Sequence, residues 1–250
     1  MKHFTIPLRS LKIGGSLFLI VFWEVGARLL DEQLILPGPV ETIGHAVEMI
    51  VAPGFLKILG STILRGMIGF SIALFLAFFL GLWAGLSPRF HAFFSPLLIT
   101  LRSVPVVSFI LLALIWFSVD AVPVFIAILT MFPMICLSII DGIHYADEEL
   151  TTMARVYEVP EKRIIREVYL PSLTPFLFTG MSNAMGFGWR AIIIGEVLSQ
   201  PEWGVGSAMH TAQTFLQVRE VIAWTLIAVL VSFLFERFIR FLQKSSMTWR

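Results

Sequence analysis

The apolar positions of the chain fall into long blocks separated by short polar joints. A helix rises 1.5 Å per residue, so about 20 apolar residues cover the roughly 30 Å of hydrocarbon in a bilayer. By that ruler six spans are expected, at about 12–30, 60–86, 92–118, 121–143, 172–198 and 216–241. Residues 31–59 are too polar to cross. Leu36-Pro37-Gly38-Pro39 reads as a turn, Val40 to Ile50 as a surface helix, and Ala52-Pro53-Gly54 as its end. Span three is interrupted near its middle by Ser103-Val104-Pro105, because proline removes one backbone hydrogen bond and bends or splits a helix. Irregular backbone at membrane depth is tolerated only where protein or water satisfies the freed groups. In span five Gly180, Ser182, Ala184, Gly186 and Gly188 let helices approach closely.

Between spans four and five lies the one long polar stretch, Tyr145 to Pro171. Within it Leu150, Met153, Ala154 and Tyr157 fall at i, i+3, i+4 and i+7, so a helix here carries one apolar stripe backed by charge. After Val159-Pro160 the pattern restarts with Ile164, Ile165 and Val168 as a second short helix, and Leu170-Pro171 ends the stretch. An apolar stripe left in water costs about 25 cal/mol per Å², so either a partner protein or the membrane surface must cover it. Periodicity does not choose between the two.

Composition agrees with a single all-α integral-membrane domain over residues 1–250: 57% of the residues are hydrophobic and only 14% are charged. No soluble domain or internal repeat interrupts it. The apolar run from Ile13 to Leu30 is too long for a signal-peptide core and reads as a retained first span, with Glu24 facing neighbouring helices. With both termini cytoplasmic, 12 of the 18 basic residues lie inside, among them Lys2, Arg9, Lys12, Arg155, Arg237 and Arg250. The positive-inside rule then puts the Tyr145 to Pro171 loop in the cytoplasm. A net charge of +1 carries no message about nucleic acid, and no basic run is dense enough to suggest such a partner, so none is expected. The lone Cys136 excludes an internal disulfide, and the five histidines lack metal-ligand spacing, so no metal is expected. No G-x-x-x-x-G-K-[ST] loop occurs, so the chain does not hydrolyse ATP, and no catalytic constellation is present. Ser207 and His210 beside Gly204 and Gly206 do not match an intramembrane serine protease.

Arg102, Arg190 and Glu196 lie inside apolar blocks, where an ionisable group costs about 2.5–3.5 kcal/mol on insertion scales. Arg190 and Glu196 are six residues apart and on different helix faces, so one partner must come from another span, with Arg102 a candidate. Either these groups pair structurally, or an arginine meets an anionic substrate in a central path. Ser103, Pro105, Asn183 and Trp189 complete the candidate path. Phe176, Phe178 and Phe187 beside Trp189 either pack or stack on a flat ring. The substrate class therefore stays open between small oxyanions and a vitamin-like heterocycle.

Thr152-Met153-Ala154, three residues, Glu158, nine residues, then Val168-x-Leu170-Pro171 has the spacing of the EAA loop of ABC importer permeases, E-A-A-x3-G-x9-I-x-L-P. Leu36-Pro37-Gly38-Pro39, Ser61 to Gly69, Leu101 to Pro105, Trp189 to Glu196 and Gly204-Val205-Gly206 follow in order, and together the chain resembles the nitrate/sulfonate/taurine-type permeases. The resemblance implies a six-helix type I permease in the bacterial inner membrane, working by alternating access on a sulfonate-, nitrate- or taurine-like substrate. It implies a second, identical permease subunit, an extracytoplasmic substrate-binding protein, and separate ATPase subunits that bind ATP and Mg, leaving this chain without a cofactor. It assigns coupling to the ATPase to Leu150, Thr152, Met153, Ala154, Tyr157, Glu158, Ile164, Val168, Leu170 and Pro171. Two positions depart from the motif, Thr152 for Glu and Glu158 for Gly. Gly takes the left-handed conformation after a helix freely and Glu only at a cost of roughly 1 kcal/mol, so the first coupling helix is expected to end differently, at the Val159-Pro160 break. An ion-coupled secondary transporter is the alternative, and it would show paired broken helices in two inverted halves. A membrane scaffold that uses the loop without ATPases is a second.

Overall fold

The computed structural model describes residues 8–30 and 35–246, and the regular structure among them is helical throughout. The helices are α1 (Leu8–Leu30), α2 (Pro39–Val51), α3 (Phe55–Leu86), α4 (Pro88–Ser103), α5 (Val106–Trp116), α6 (Ala121–His144), α7 (Glu148–Val156), α8 (Glu161–Ile164), α9 (Leu170–Ser199), α10 (Val205–Thr214) and α11 (Val218–Ser246). Lys2 and Arg250, on which the topology expectation drew, lie outside the described residues.

Three of these helices are long and apolar enough to cross a membrane: α3, α6 and α11. The pair α4 and α5 makes a fourth if taken as one span bent by 96°. The break falls at Ser103-Val104-Pro105: Val104 is extended, and Pro105 opens α5. The other two expected spans coincide with α1 and α9, helices of 23 and 30 residues, with Arg190 and Glu196 in α9.

The chain divides into two compact units. One holds α1, α2 and residues Ala208–Ala228. In it the indole Nε1 of Trp23 donates to the carbonyl of Pro37 at 3.1 Å, fixing the Leu36-Pro37-Gly38-Pro39 turn to α1. Phe55 stacks on Trp224 with ring centroids 5.6 Å apart.

The other unit, Lys57–Ser207 with the chain from Val229 onward, is organised around α6. Met131, Ile135, Cys136, Ile139 and Ile140 of that helix are buried against α3, α4 and α9. α6 and α9 pack along most of their lengths. Two of the small residues of α9 make this possible. A Cβ on Gly180 would lie 2.6 Å from the Ser138 side chain, and one on Gly188 would collide with Met131. Gly186, also expected at the contact, has open space around it.

The polar loop differs from expectation in two ways. α7 is capped by Asp147, whose carboxylate accepts from the backbone N–H of Glu149 and Leu150 at 2.8 and 3.2 Å. Its other end is not displaced to Val159-Pro160. Glu158 takes the left-handed conformation with φ 55°, the N–H of Val159 donates to the Ala154 carbonyl at 2.9 Å, and that of Glu158 to Arg155 at 3.0 Å. These two bonds form a Schellman cap with glutamate where glycine is usual, so the left-handed cost is borne rather than avoided. The second short helix does not stop at Leu170-Pro171 either. α8 continues through a π-helical turn, Ile165–Tyr169, into α9. The N–H of Leu170 donates five residues back to Ile165. The wider turn lies over the residues that Pro171 would crowd and whose bond it cannot donate, which lets the helix run on.

Replacing Glu158 with Gly removes the left-handed strain while keeping both capping bonds. The variant is expected to fold and assemble normally, with thermal unfolding of the purified protein unchanged or up to about 1 kcal/mol more stable. A loss of assembly would show that the Glu158 side chain makes a contact of its own.

Candidate functional site

Two polar sites lie in the larger unit. The first is a cavity of about 730 Å³ bordered by the α4–α5 break, α6 and α9. The break supplies Arg102; α6 supplies Thr130, Ser138 and Asp141; α9 supplies Asn183, Phe187 and Arg190. From Thr130 to Asp141 the α6 wall runs for about 17 Å at the helical rise. Arg102 and Arg190 make no ion pair among the described residues. The Arg190 guanidinium sits 5.3 Å from the centre of the Phe187 ring. Phe187 is one turn away on the same helix, an arrangement that holds the cation toward the cavity without neutralising it. Two cations against one carboxylate leave the cavity with an excess of positive charge.

The second site is a buried cluster around Glu196, which is fully buried. Arg65 of α3 donates through Nη1 to Glu196 Oε1 at 2.8 Å and to the Trp203 carbonyl at 2.7 Å, and through Nη2 to Asp120 at 2.5 Å. The Thr62 hydroxyl donates to Glu196 Oε2 at 2.9 Å and accepts from the N–H of Val205 at 2.8 Å. The N–H of Gly206 donates to the same Oε2 at 2.9 Å. Glu196 and Thr62 thus satisfy free donors of the first turn of α10, where a negative charge also meets the positive end of the helix dipole. A Cβ on Gly204 would lie 2.7 Å from the Glu196 carboxylate carbon, and one on Gly206 would lie 2.6 Å from the Glu196 Cβ. The glycines of Gly204-Val205-Gly206 are there to admit the carboxylate. Lys57 completes the cluster, its Nζ 3.8 Å from the centre of the Trp203 ring.

The candidate path residues therefore separate. Arg102, Asn183 and Arg190 come together in the cavity. Ser103 and Pro105 form the helix break beside it, the Ser103 hydroxyl donating to the Ile99 carbonyl at 2.8 Å. Glu196 is not brought to Arg102 or Arg190; its partner is Arg65. Trp189 is 2% exposed and packs on Phe235 at 5.7 Å between ring centroids. Phe176 lies against Tyr145 at 5.1 Å and Phe178 packs on the core, leaving Phe187 as the one ring of that set in the cavity wall. Arg65, Thr62 and Asp141 escaped the sequence reading. Arg65 lies in an early turn of an apolar helix and passes for a flanking charge, although a carboxylate as deep in a block as Glu196 already requires such a partner.

On the loop, α7 turns Thr151 inward and its apolar residues outward. Leu150 and Met153 are about half exposed, and Val156 and Tyr157 are 75% and 76% exposed. Thr152, Met153 and Val156 share a shallow depression with Glu148 and Glu149. Ala154 is half-buried, Ile164 is buried, and Val168, Leu170 and Pro171 are half-buried at the π turn and the start of α9. Arg155 joins the two helices through an ion pair with Glu161 at 3.2 Å.

A multi-helix apolar chain with a broken segment bordering a basic cavity has the make-up of a membrane transport protein. The family model of the binding-protein-dependent transport system inner membrane component matches residues 77–246, and the chain belongs to that family. It is a multi-pass permease subunit of the ABC importer class, not an enzyme. It is 29% identical to the permease assigned to aliphatic sulfonate transport in Bacillus subtilis, over 93% of this chain and 84% of the relative. It is 24% identical to the taurine transport system permease of Escherichia coli over 96% and 90% of the two chains. The bicarbonate transport system permease of Synechococcus elongatus is 26% identical over 94% and 88%. This membership displaces the ion-coupled and scaffold readings.

Removing Arg65 leaves the buried Glu196 charge without its cation, whereas Arg65 itself still has Asp120. Arg65→Met is expected to destabilise the protein by about 3–5 kcal/mol, and Arg65→Met/Glu196→Leu to recover part of that loss. Thermal unfolding and the yield of folded protein check both. Gly204→Ala, which meets the carboxylate directly, is expected to fail in the same assay.

Proposed function

We propose that this permease carries a small anion across the membrane by alternating access, driven by separate ATPase subunits that dock on α7 and α8. The observation that carries the reading is the outward apolar face of α7, where Leu150, Met153, Val156 and Tyr157 stand exposed on a loop otherwise rich in charge. Such a face needs a cover, and a groove of the ATPase is the cover that an ABC importer supplies. On this reading Thr152, Ala154, Glu158, Ile164, Val168, Leu170 and Pro171 shape or seat the docking helices. The chain crosses the membrane six times as one permease domain, with both termini in the cytoplasm. Two copies enclose the path, and a substrate-binding protein delivers from outside. ATP and Mg belong to the ATPases. Converting a 1:99 equilibrium between inward- and outward-open forms to 99:1 takes about 5.5 kcal/mol of differential binding. The ATPase pair supplies it through its contact with these helices.

The relatives named for sulfonate, taurine and bicarbonate transport handle substrates that share an anionic group. The excess positive charge of the Arg102, Asn183 and Arg190 cavity supports the same class here. With Trp189 packed in the core, only Phe187 remains to stack on a ring, so the oxyanion reading is preferred over the heterocycle.

Co-expression with the cognate ATPase tests the coupling. Leu150→Asp or Ala154→Asp is expected to lower complex recovery and stimulated ATP turnover by about tenfold or more, with insertion unchanged. Unchanged stimulation would remove the docking role. Arg102→Gln or Arg190→Gln is expected to leave assembly intact and reduce anion transport by roughly 10- to 100-fold, the effect of one charged hydrogen bond. A folding failure would instead assign these arginines to the scaffold.

A further inference from the structure

The smaller unit carries a polar site of its own. Arg28 donates through Nε to Glu24 Oε1 at 2.6 Å, one helical turn apart near the C-terminal end of α1, with the side chains 78% and 32% exposed. The pair is surrounded by apolar side chains that face outward: Phe22, Val25, Leu29 and Leu30 are all exposed. On the proposed six-span reading, on which this inference rests, such a surface belongs against lipid, and the last turns of a span reach the depth of the headgroups. A cavity of about 440 Å³ opens here between α1 and the start of α2. Ile20, Val21, Val25 and Val40 form its apolar wall, and Glu24 and Arg28 its polar end. The Trp23–Pro37 hydrogen bond holds the connecting turn against α1, so the cavity is formed before anything enters it.

We propose that this cavity binds a phospholipid with a zwitterionic headgroup bearing a primary amine. The two Nη groups of Arg28 make no hydrogen bond among the described residues and suit a phosphate, which guanidinium recognises in bidentate fashion. Glu24 Oε2 takes no hydrogen bond among the described residues and suits an ammonium. One acyl chain lies along Ile20, Val21 and Val25. A quaternary ammonium has no N–H to donate to Glu24, and an anionic headgroup without an amine adds a second negative charge to an ion pair that holds one cation. The order of preference is therefore ethanolamine over choline and over glycerol headgroups. A bound lipid of this kind also gives the carboxylate oxygen that Arg28 leaves free a partner in an otherwise apolar stretch.

The test uses the full chain, reconstituted in vesicles of equal parts dioleoyl phosphatidylethanolamine, phosphatidylcholine and phosphatidylglycerol. The protein is then re-extracted in mild detergent and the retained phospholipid is quantified by mass spectrometry. Wild type is expected to retain phosphatidylethanolamine about fivefold above its share in the vesicles. Glu24→Gln is expected to lose the discrimination against phosphatidylcholine, and Arg28→Gln to lose retained lipid altogether. Val25→Trp, which fills the apolar wall and leaves both charges, is expected to lower retention of every headgroup, so the proposal does not depend on the charge variants folding. Retention in proportion to the vesicle mixture by the wild type would overturn the proposal. So would a preference for phosphatidylglycerol that survives Glu24→Gln, which would mean a plain anion site on Arg28.

Discussion

The larger unit depends on the burial of one carboxylate. Glu196 is held away from water and answered by Arg65, Thr62 and the N–H of Gly206. These partners come from α3, near the start of an apolar helix, and from the first turn of α10, ten residues further along the chain from the acid. A charge in that setting is tolerable only if all its partners are present together, because each one missing leaves an unsatisfied ion in a low-dielectric surrounding. The cluster therefore acts as a condition on the fold. The turn after α9 must bring Gly204 and Gly206 against the acid, and α3 must lie in one register relative to α9. Arg65 extends the same constraint to Asp120, at the start of α6. The cluster thus ties α3, α6, α9 and α10 together at one level.

The helical content was legible because the apolar blocks are long and the breaks carry proline. The α4–α5 interruption, the surface helix α2 and the extent of α6 follow from residue type alone, whereas α3 begins at Phe55, five residues before the expected span. The cluster was not legible, because pairing at a sequence separation of 131 residues leaves no local pattern. Glu196 announced that a partner was needed, but not which one. Arg102 and Arg65 were equally available by composition, and only packing separates an arginine that closes a buried pair from one that faces a cavity. Position Glu158 shows the complementary failure. Propensity argued against a left-handed glutamate, yet the two Schellman bonds and the following proline outweigh a cost of about 1 kcal/mol. Residue preference sets a cost there; it does not select the conformation.

The π turn changes what a movement of the loop does. Had α8 been a separate helix ending at Leu170-Pro171, a displacement there could be absorbed by a flexible joint. Instead Glu161 to Ser199 is helical without interruption, through α8, the π turn and α9. Asn183 and Arg190 of the cavity and Glu196 of the buried cluster all lie on this one helix. On the proposed function, a push at α8 reaches the cavity walls directly, and the cluster at Glu196 supplies the opposite, fixed end. On the same reading the motion expected of α9 is rotation about its Glu196 terminus, which displaces Asn183 more than Arg190 because Asn183 is farther from that end. The part of the cavity nearer the coupling helices is then the part expected to open and close, with the arginine nearer Glu196 expected to move least.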